Sequence, residues 1–205
     1  MNAAPSALPA RPATPALTRA LVGLTILAGL ALVAMLALGV ARGQRSLTAG
    51  QAAPDFAFTD FEGRAHDLST ARGQVVVLNF WASWCVECVA EAAELEGIWR
   101  DYGQRGVQVL GLAYTDTEPA ARAYARARGM SFPNGMDRAA TVSARYGLTG
   151  VPETVVIDQQ GRIVALPQRD GTETTKIVGA VVAGGVVEPA DLRAVLDRLL
   201  EKGQP

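Results

Sequence analysis

Val75–Phe80 (VVVLNF) is an uncharged run that opens with three β-branched residues and contains one polar residue, Asn79. Such a run reads as a strand buried on both faces, and a strand of that kind needs cover on both sides of its sheet. A second run, Val107–Ala113 (VQVLGLA), has the same character. Between them Ala92, Leu95, Ile98, Trp99 and Tyr102 recur at helical spacing, so the pattern predicts a helix from Cys85 to Tyr102, ended by Gly103 and Gly106. Strand, helix and strand in this order make a parallel crossover unit and point to an α/β protein.

The remaining pattern extends that unit. Phe56, Phe58 and Phe61 with the turn Glu62-Gly63 predict a hairpin that returns over Arg64–Leu68, and His66 falls in it as a strand residue. A helix is expected over Glu118–Arg128, capped by Asp116 or Thr117 and stopped by Gly129. Another is expected over Arg138–Tyr146, closed by Gly147. Thr154–Ile157 reads as a strand, Asp158–Gly161 as its turn and Arg162–Leu166 as its hairpin partner. A last helix over Ala190–Lys202 carries Leu192, Val195, Leu196, Leu199 and Leu200 on one face. The interval Pro167–Glu188 is interrupted by Gly179, Gly184 and Gly185, and its pattern assigns no element. The expected class is α/β, a central mixed sheet flanked by helices with an N-terminal hairpin.

Composition removes several functions. Of 205 residues, 49% are hydrophobic, which excludes a wholly disordered chain. The net charge of −1 offers no basic excess for nucleic acid. Two cysteines are too few for a disulfide-stapled scaffold or a four-cysteine zinc site, and one histidine excludes a multi-histidine metal centre.

The N-terminal part is different. Residues 1–41 contain no acidic residue, and residues 1–19 hold Pro5, Pro9, Pro12 and Pro15, as expected of a disordered tail. From Ala20 to Ala41 the chain runs 22 positions without a charge. As a helix this spans about 33 Å, enough for a hydrocarbon core of about 30 Å. A signal peptide cut after Gly39-Val40-Ala41 is the competing reading, although its apolar core would exceed the usual length of about 7–15 residues. An uncleaved transmembrane anchor at 20–41 fits best, followed by a polar linker at 42–54 and a domain at 55–205. Arg11, Arg19 and the amino terminus lie on one side, Arg42 and Arg45 on the other, a slight bias towards a cytoplasmic N-terminus.

The chemistry lies where the first buried strand ends, in Trp81-Ala82-Ser83-Trp84-Cys85-Val86-Glu87-Cys88. Cysteines at i and i+3 approach disulfide distance with little backbone movement. Free N–H groups at a helix start stabilise a thiolate, so Cys85 is the expected attacking sulfur and Cys88 the more buried, resolving one. Metal binding, a structural disulfide and a pair of inert thiols are the other readings of the pair alone.

Further motifs narrow the choice. Trp-Ala-Ser-Trp-Cys-x-x-Cys after the strand resembles the thioredoxin fold, and in particular its membrane-anchored extracytoplasmic branch, the TlpA/ResA/CcmG (DsbE) thiol-disulfide oxidoreductases. Asp55-Phe56, Gly63 with Asp67-Leu68-Ser69, Arg72-Gly73-Gln74, Tyr146-Gly147, Gly150-Val151-Pro152-Glu153-Thr154, Asp158 and Gly161 carry the likeness. The resemblance covers about residues 53–166 and the terminal helix. It implies a cis peptide bond before Pro152, which leaves the backbone of Val151 to pair with an extended substrate. It implies that Glu91, one turn beyond Cys88, serves the proton chemistry of the cysteines; a solvated helix-face glutamate is the alternative. Trp84 is expected to cover the sulfurs and offer contact surface, with Trp81 as packing. Glu87 between the cysteines opposes a thiolate, an effect that is small if it faces water.

The resemblance implies a protein-disulfide reductase on the bacterial inner membrane. It is expected to be a monomer facing the periplasm, without cofactor, bound metal or nucleic acid. Its clients are protein disulfides such as those of apocytochrome c, and a membrane thiol donor renews it. A thiol oxidase, a reductant for copper-site assembly, and a non-catalytic copper-handling factor that uses Met130 or Met136 remain as alternatives. A peroxidase is disfavoured because a tryptophan precedes Cys85.

Overall fold

The computed structural model describes residues 15–43, 47–167, 171–178 and 189–202. It divides into two units, Met1–Gln44 and Arg45–Pro205. The described part of the first is one helix, α1 (Pro15–Gly43), of 29 residues, about 43 Å at 1.5 Å per residue. It passes both ends of the uncharged run and takes in residues 15–19, which were expected in the tail. Pro15 suits a first helical turn, where its missing N–H costs no bond. The rest of the expected tail, residues 1–14, lies outside the described residues. Over Thr18–Met35 the mean hydropathy is 1.9 and none of the stretch is buried, which makes it a candidate membrane span or signal helix.

The second unit opens with a hairpin of β1 (Ala57–Thr59) and β2 (Ala65–Asp67), in antiparallel register with Phe58 opposite His66. Asp60 holds its turn. The carboxylate accepts from the backbone N–H groups of Glu62 and Arg64 and lies 2.8 Å from His66 Nε2. Burial opposes its charge, but hydrogen bonds from His66 and Arg64 prevail and hold its pKa down at about 2.

Strand β3 (Val75–Trp81) is buried along its whole length, as its composition predicts. Helix α2 (Cys88–Tyr102) crosses to β4 (Val107–Ala113), which pairs in parallel with β3 from Val75↔Val107 to Trp81↔Ala113. Helix α3 (Glu118–Ala127) leads to β5 (Asn134–Met136), a short strand beside β4 that the sequence pattern does not announce. Then come α4 (Thr141–Arg145) and β6 (Glu153–Ile157), antiparallel to β3 on its other side. The chain continues through β7 (Leu166–Pro167), β8 (Glu173–Thr174), β9 (Ile177–Val178) and α5 (Pro189–Lys202). The central sheet has the order β5-β4-β3-β6-β9.

Side chains alternate along β3, and each parity enters its own core. Val76, Leu78 and Phe80 meet Phe56, Phe58, Tyr146, Val155 and Ile157 on one face. Val75 and Val77 meet Leu95 and Ile98 of α2 and Leu192, Val195 and Leu196 of α5 on the other. Asn79 shares its parity with Val75 and Val77, so the pleat turns its amide towards the α2 side.

Four expectations need correction. Residues 47–54 belong to the domain rather than to a linker. Leu47 and Ala53 are buried in its core, Ala53 N–H donates to Gly161 C=O at 2.9 Å, and Ala52 bridges Arg162. Arg162–Leu166 returns along β6 as a hairpin partner only at its start, through the antiparallel bridge Ile157↔Ile163 and the bonds Asp158 N–H to Arg162 C=O and Val164 N–H to Val156 C=O, both 2.9 Å, and β9 pairs with the other end of β6. The helix expected over Arg138–Tyr146 is broken because Ala139 and Ala140 stand at φ 55° and 51°, a left-handed conformation that neither side chain advertises. Neither Asp116 nor Thr117 caps α3 through its side chain. Asp116 instead accepts from Ser83 N–H at 2.6 Å.

Gly111 shows how tightly β4 packs beside the site. A Cβ there would collide with Asn134 Oδ1, which accepts from Trp81 Nε1 at 3.0 Å. Gly111→Ala is expected to cost about 1–3 kcal/mol by overpacking and by loss of that buried hydrogen bond. Urea unfolding measures it, and an unchanged midpoint would contradict the close approach.

Candidate active site

Cys85 and Cys88 form a disulfide with their Cα atoms 5.4 Å apart. The sulfurs lie where β3 ends and α2 starts. Cys88, not Cys85, is the first helical residue, with Glu87 at the cap position. Cys85 sits in the preceding turn, its N–H donating to Ala82 C=O at 3.2 Å. The cause of the later start is visible in the bonding. Cys85 Sγ itself accepts the N–H of Cys88 at 3.1 Å, the service a capping oxygen performs elsewhere. A thiolate at Cys85 would meet the same donor and the positive end of α2. Both cysteines are buried, at 4% and 2% exposure, so the expected difference in burial is slight.

One turn along α2, Glu91 is 1% exposed, which excludes the solvated helix-face reading. Its Oε2 accepts from Asn79 Nδ2 at 3.1 Å, and its Oε1 lies 2.8 Å from Thr154 Oγ1. Asn79 Nδ2 also donates to Thr154 Oγ1 at 2.9 Å. The three side chains come from α2, β3 and β6, and Asn79 and Thr154 are direct partners in the β3–β6 register. The proton count is informative. The two N–H bonds of Asn79 serve Glu91 and Thr154, and the Thr154 hydroxyl then has its own proton for Glu91. The network therefore supplies donors to a carboxylate but no compensating charge. Burial outweighs those two hydrogen bonds and pushes the Glu91 pKa up to about 8. At neutral pH the group is mostly protonated.

The bond between Val151 and Pro152 is cis. Val151 packs against the cluster that contains Cys85, Cys88, Trp81 and Phe61, so the loop before β6 stands beside the cysteines. Among the described residues no hydrogen bond engages the backbone of Val151. Trp84 is 58% exposed, its indole N–H donating to Thr115 C=O at 3.2 Å, and Val86 is 78% exposed. Trp84 thus offers contact surface beside the site. Trp81 is buried, stacked 5.1 Å from Tyr124, as expected of packing. Glu87 is exposed, which leaves its charge screened by water. Met130 and Met136, distant from the cysteines in sequence, both pack against the cysteine-containing cluster. His66 stacks on Phe58 within the hairpin.

Sequence reasoning missed Asn79, Thr154 and Asp116. For Asn79 the signal was available: one amide within a strand buried on both faces demands a polar partner. Asp116 receives Ser83 N–H and the Ser83 hydroxyl, which fixes the turn before Cys85, and its place in a loop gave no such signal.

Residues 49–166 match the family model described as the AhpC/TSA family. The chain is 34% identical over 118 residues to the thiol-disulfide oxidoreductase ResA of Geobacillus thermodenitrificans, covering 58% of this chain and 68% of that one. It is 31% identical over 115 residues to ResA of Bacillus anthracis, covering 56% and 66%. The matched stretch thus spans about two thirds of these relatives. A solved structure from Chlorobium tepidum, assigned as the thiol:disulfide interchange protein DsbE, is 27% identical with a TM-score of 0.60. That likeness covers 78% of this chain and 100% of the other.

Glu91 ties stability to pH. Between its ordinary value of 4.5 and about 8, the folded oxidised chain keeps a proton that the unfolded chain has lost. Rising pH therefore removes stability across that window, by at most about 1.4 kcal/mol per unit. Glu91→Gln is expected to flatten the slope. Thr154→Val removes a donor to the carboxylate and moves the upper end of the window above 8. Urea midpoints of the detergent-solubilised chain from pH 5 to 9 measure both effects. Equal slopes in the unmodified and Glu91→Gln chains would refute the assignment.

Proposed function

The chain belongs to the AhpC/TSA family, as a thioredoxin-like member of the ResA/DsbE type, and we propose that it is an extracytoplasmic protein thiol-disulfide oxidoreductase that reduces its clients. The observation that carries this reading is the Cys85–Cys88 disulfide at the start of α2, flanked by the cis Val151–Pro152 bond.

Reduction begins with the dithiol form. The Cys85 thiolate, supported by the Cys88 N–H, attacks one sulfur of the client disulfide, and the client's other sulfur leaves as a thiolate and takes a proton. Cys88 then loses its proton and attacks Cys85 Sγ. The internal disulfide forms and the second client sulfur is released as a thiol. Two electrons pass to the client, and Cys85–Cys88 is left oxidised. Glu91, in its ionised fraction, accepts the proton of Cys88, and in its protonated form returns one when the disulfide is opened again. Val151 and Pro152 present a backbone edge to an extended client segment, and Trp84 supplies apolar contact. The cysteines carry the electrons, so no cofactor is required.

Helix α1 serves as a single-pass anchor in the inner membrane, with the catalytic unit on the periplasmic side as a monomer. A membrane thiol donor restores the dithiol. Apocytochrome c fits as client, because its haem-attachment cysteines must be reduced before haem bonds to them. The likeness to thiol-disulfide oxidoreductases supports thiol-disulfide exchange, and the apolar helix supports an extracytoplasmic setting.

The equilibrium potential of the cysteine pair, measured against glutathione and dithiothreitol series, tests the direction. A value near or below about −220 mV is expected of a reductant, and one near about −120 mV would make the protein an oxidase. Failure to form the disulfide in solution would remove both.

A further inference from the structure

Buried Glu153 immediately follows the cis bond, at 1% exposure, and on β6 it points to the face opposite Thr154. One of its oxygens, Oε2, lies 3.1 Å from the ammonium of Lys176, whose side chain is only 12% exposed. The other, Oε1, accepts from the backbone N–H of Thr149 at 2.8 Å and from the Thr149 hydroxyl. Lys176 also donates to Gly147 C=O. Its own backbone is fixed by Thr174, whose hydroxyl donates to Lys176 C=O at 2.9 Å. One ion pair therefore grips the loop that holds Val151 and Pro152 at Gly147, Thr149 and Glu153. The cation comes from between β8 and β9, in the interval whose sequence assigned no element.

We propose that the Lys176–Glu153 pair is a positioning device that holds the Val151–Pro152 edge in shape for a protein client and does not touch the reacting sulfurs. This rests on the reading that Val151 receives an extended client segment. Two features favour positioning over general support. The pair joins β6 to a segment that, among the described residues, contributes two residue pairs to the sheet at that edge. Its hydrogen bonds converge on the loop before β6 and include none to Cys85, Cys88 or Glu91. A buried ion pair is a costly way to hold a loop, but it fixes geometry more sharply than apolar contact does.

The test uses the full chain in detergent, reduced beforehand, with insulin as protein disulfide and dithiobis(nitrobenzoate) as small disulfide. Lys176→Met is expected to raise the half-saturating insulin concentration about tenfold, with the limiting rate retained. The rate with the small disulfide and the potential of the cysteine pair are expected to stay unchanged, and Lys176→Arg restores insulin binding. An unchanged insulin dependence in Lys176→Met, or an equal loss with both disulfides, would overturn the proposal. Glu153→Gln, which keeps an acceptor for Thr149 but loses the charge, provides the same comparison from the other side. If neither variant folds, the Thr149 amide of the unmodified chain decides: exchange as slow as that of β6 supports the clamp, and exchange at free-loop rates overturns it. An unmodified chain that fails to reduce insulin at all would instead refute the functional reading beneath it.

Discussion

Burial of β3 on both faces is the constraint from which the rest of this domain follows. A strand with no face for water must be paired on both edges and covered on both sides. Strands β4 and β6 take the edges, α2 and α5 cover one side, and the hairpin with Tyr146 covers the other. Because the sheet continues past β3 in both directions, the loop at its end is pinned between two neighbours. The cysteines are therefore delivered to a fixed place rather than to a mobile surface loop.

The same burial forces the single amide within β3 to find partners inside the protein. Asn79 finds them in Glu91 and Thr154. A carboxyl group surrounded by neutral donors keeps its hydrogen bonds but not its charge, and its pKa rises. Glu153 is buried to the same extent on the opposite face and has a cation beside it. Adjacent residues on β6 thus belong to two different buried acid networks, Thr154 as a donor to Glu91 and Glu153 as the acid paired with Lys176. One arrangement leaves a proton exchangeable near neutral pH, and the other fixes a loop.

The main elements were legible because their signals are local. Continuous, largely apolar runs rich in β-branched residues reveal β3 and β4, helical spacing reveals α2 and α5, and turns with Gly63 and Gly161 mark the hairpin and the corner after β6. The cysteine pair and the cis proline were legible through a shared motif. What escaped depends on partners far away in sequence. Strand β5 has only three residues, and its pairing with β4 supplies the order that its composition does not. Ala139 and Ala140 adopt a conformation that is usually marked by glycine or asparagine, so the break before α4 had no sign. The linker was misread because Leu47 and Ala53 look unremarkable among small polar neighbours, although both are buried in a core that includes Ile157 and Ile163, more than a hundred positions away, and Ala52 bridges Arg162. The ion pair of Lys176 and Glu153 is likewise invisible until β9 is placed beside β6.

Two acidic residues close to the cysteines show why position outranks composition at such a site. Glu87 stands between the cysteines in sequence, yet it faces solvent, where water and salt weaken its field. Glu91 is farther along the chain, but it lies inside the protein, where low polarisability strengthens every interaction and desolvation decides its protonation. Counting carboxylates near the motif would give the first the larger role. The proposed mechanism gives it to the second, which is buried one helical turn beyond Cys88 and carries the raised pKa.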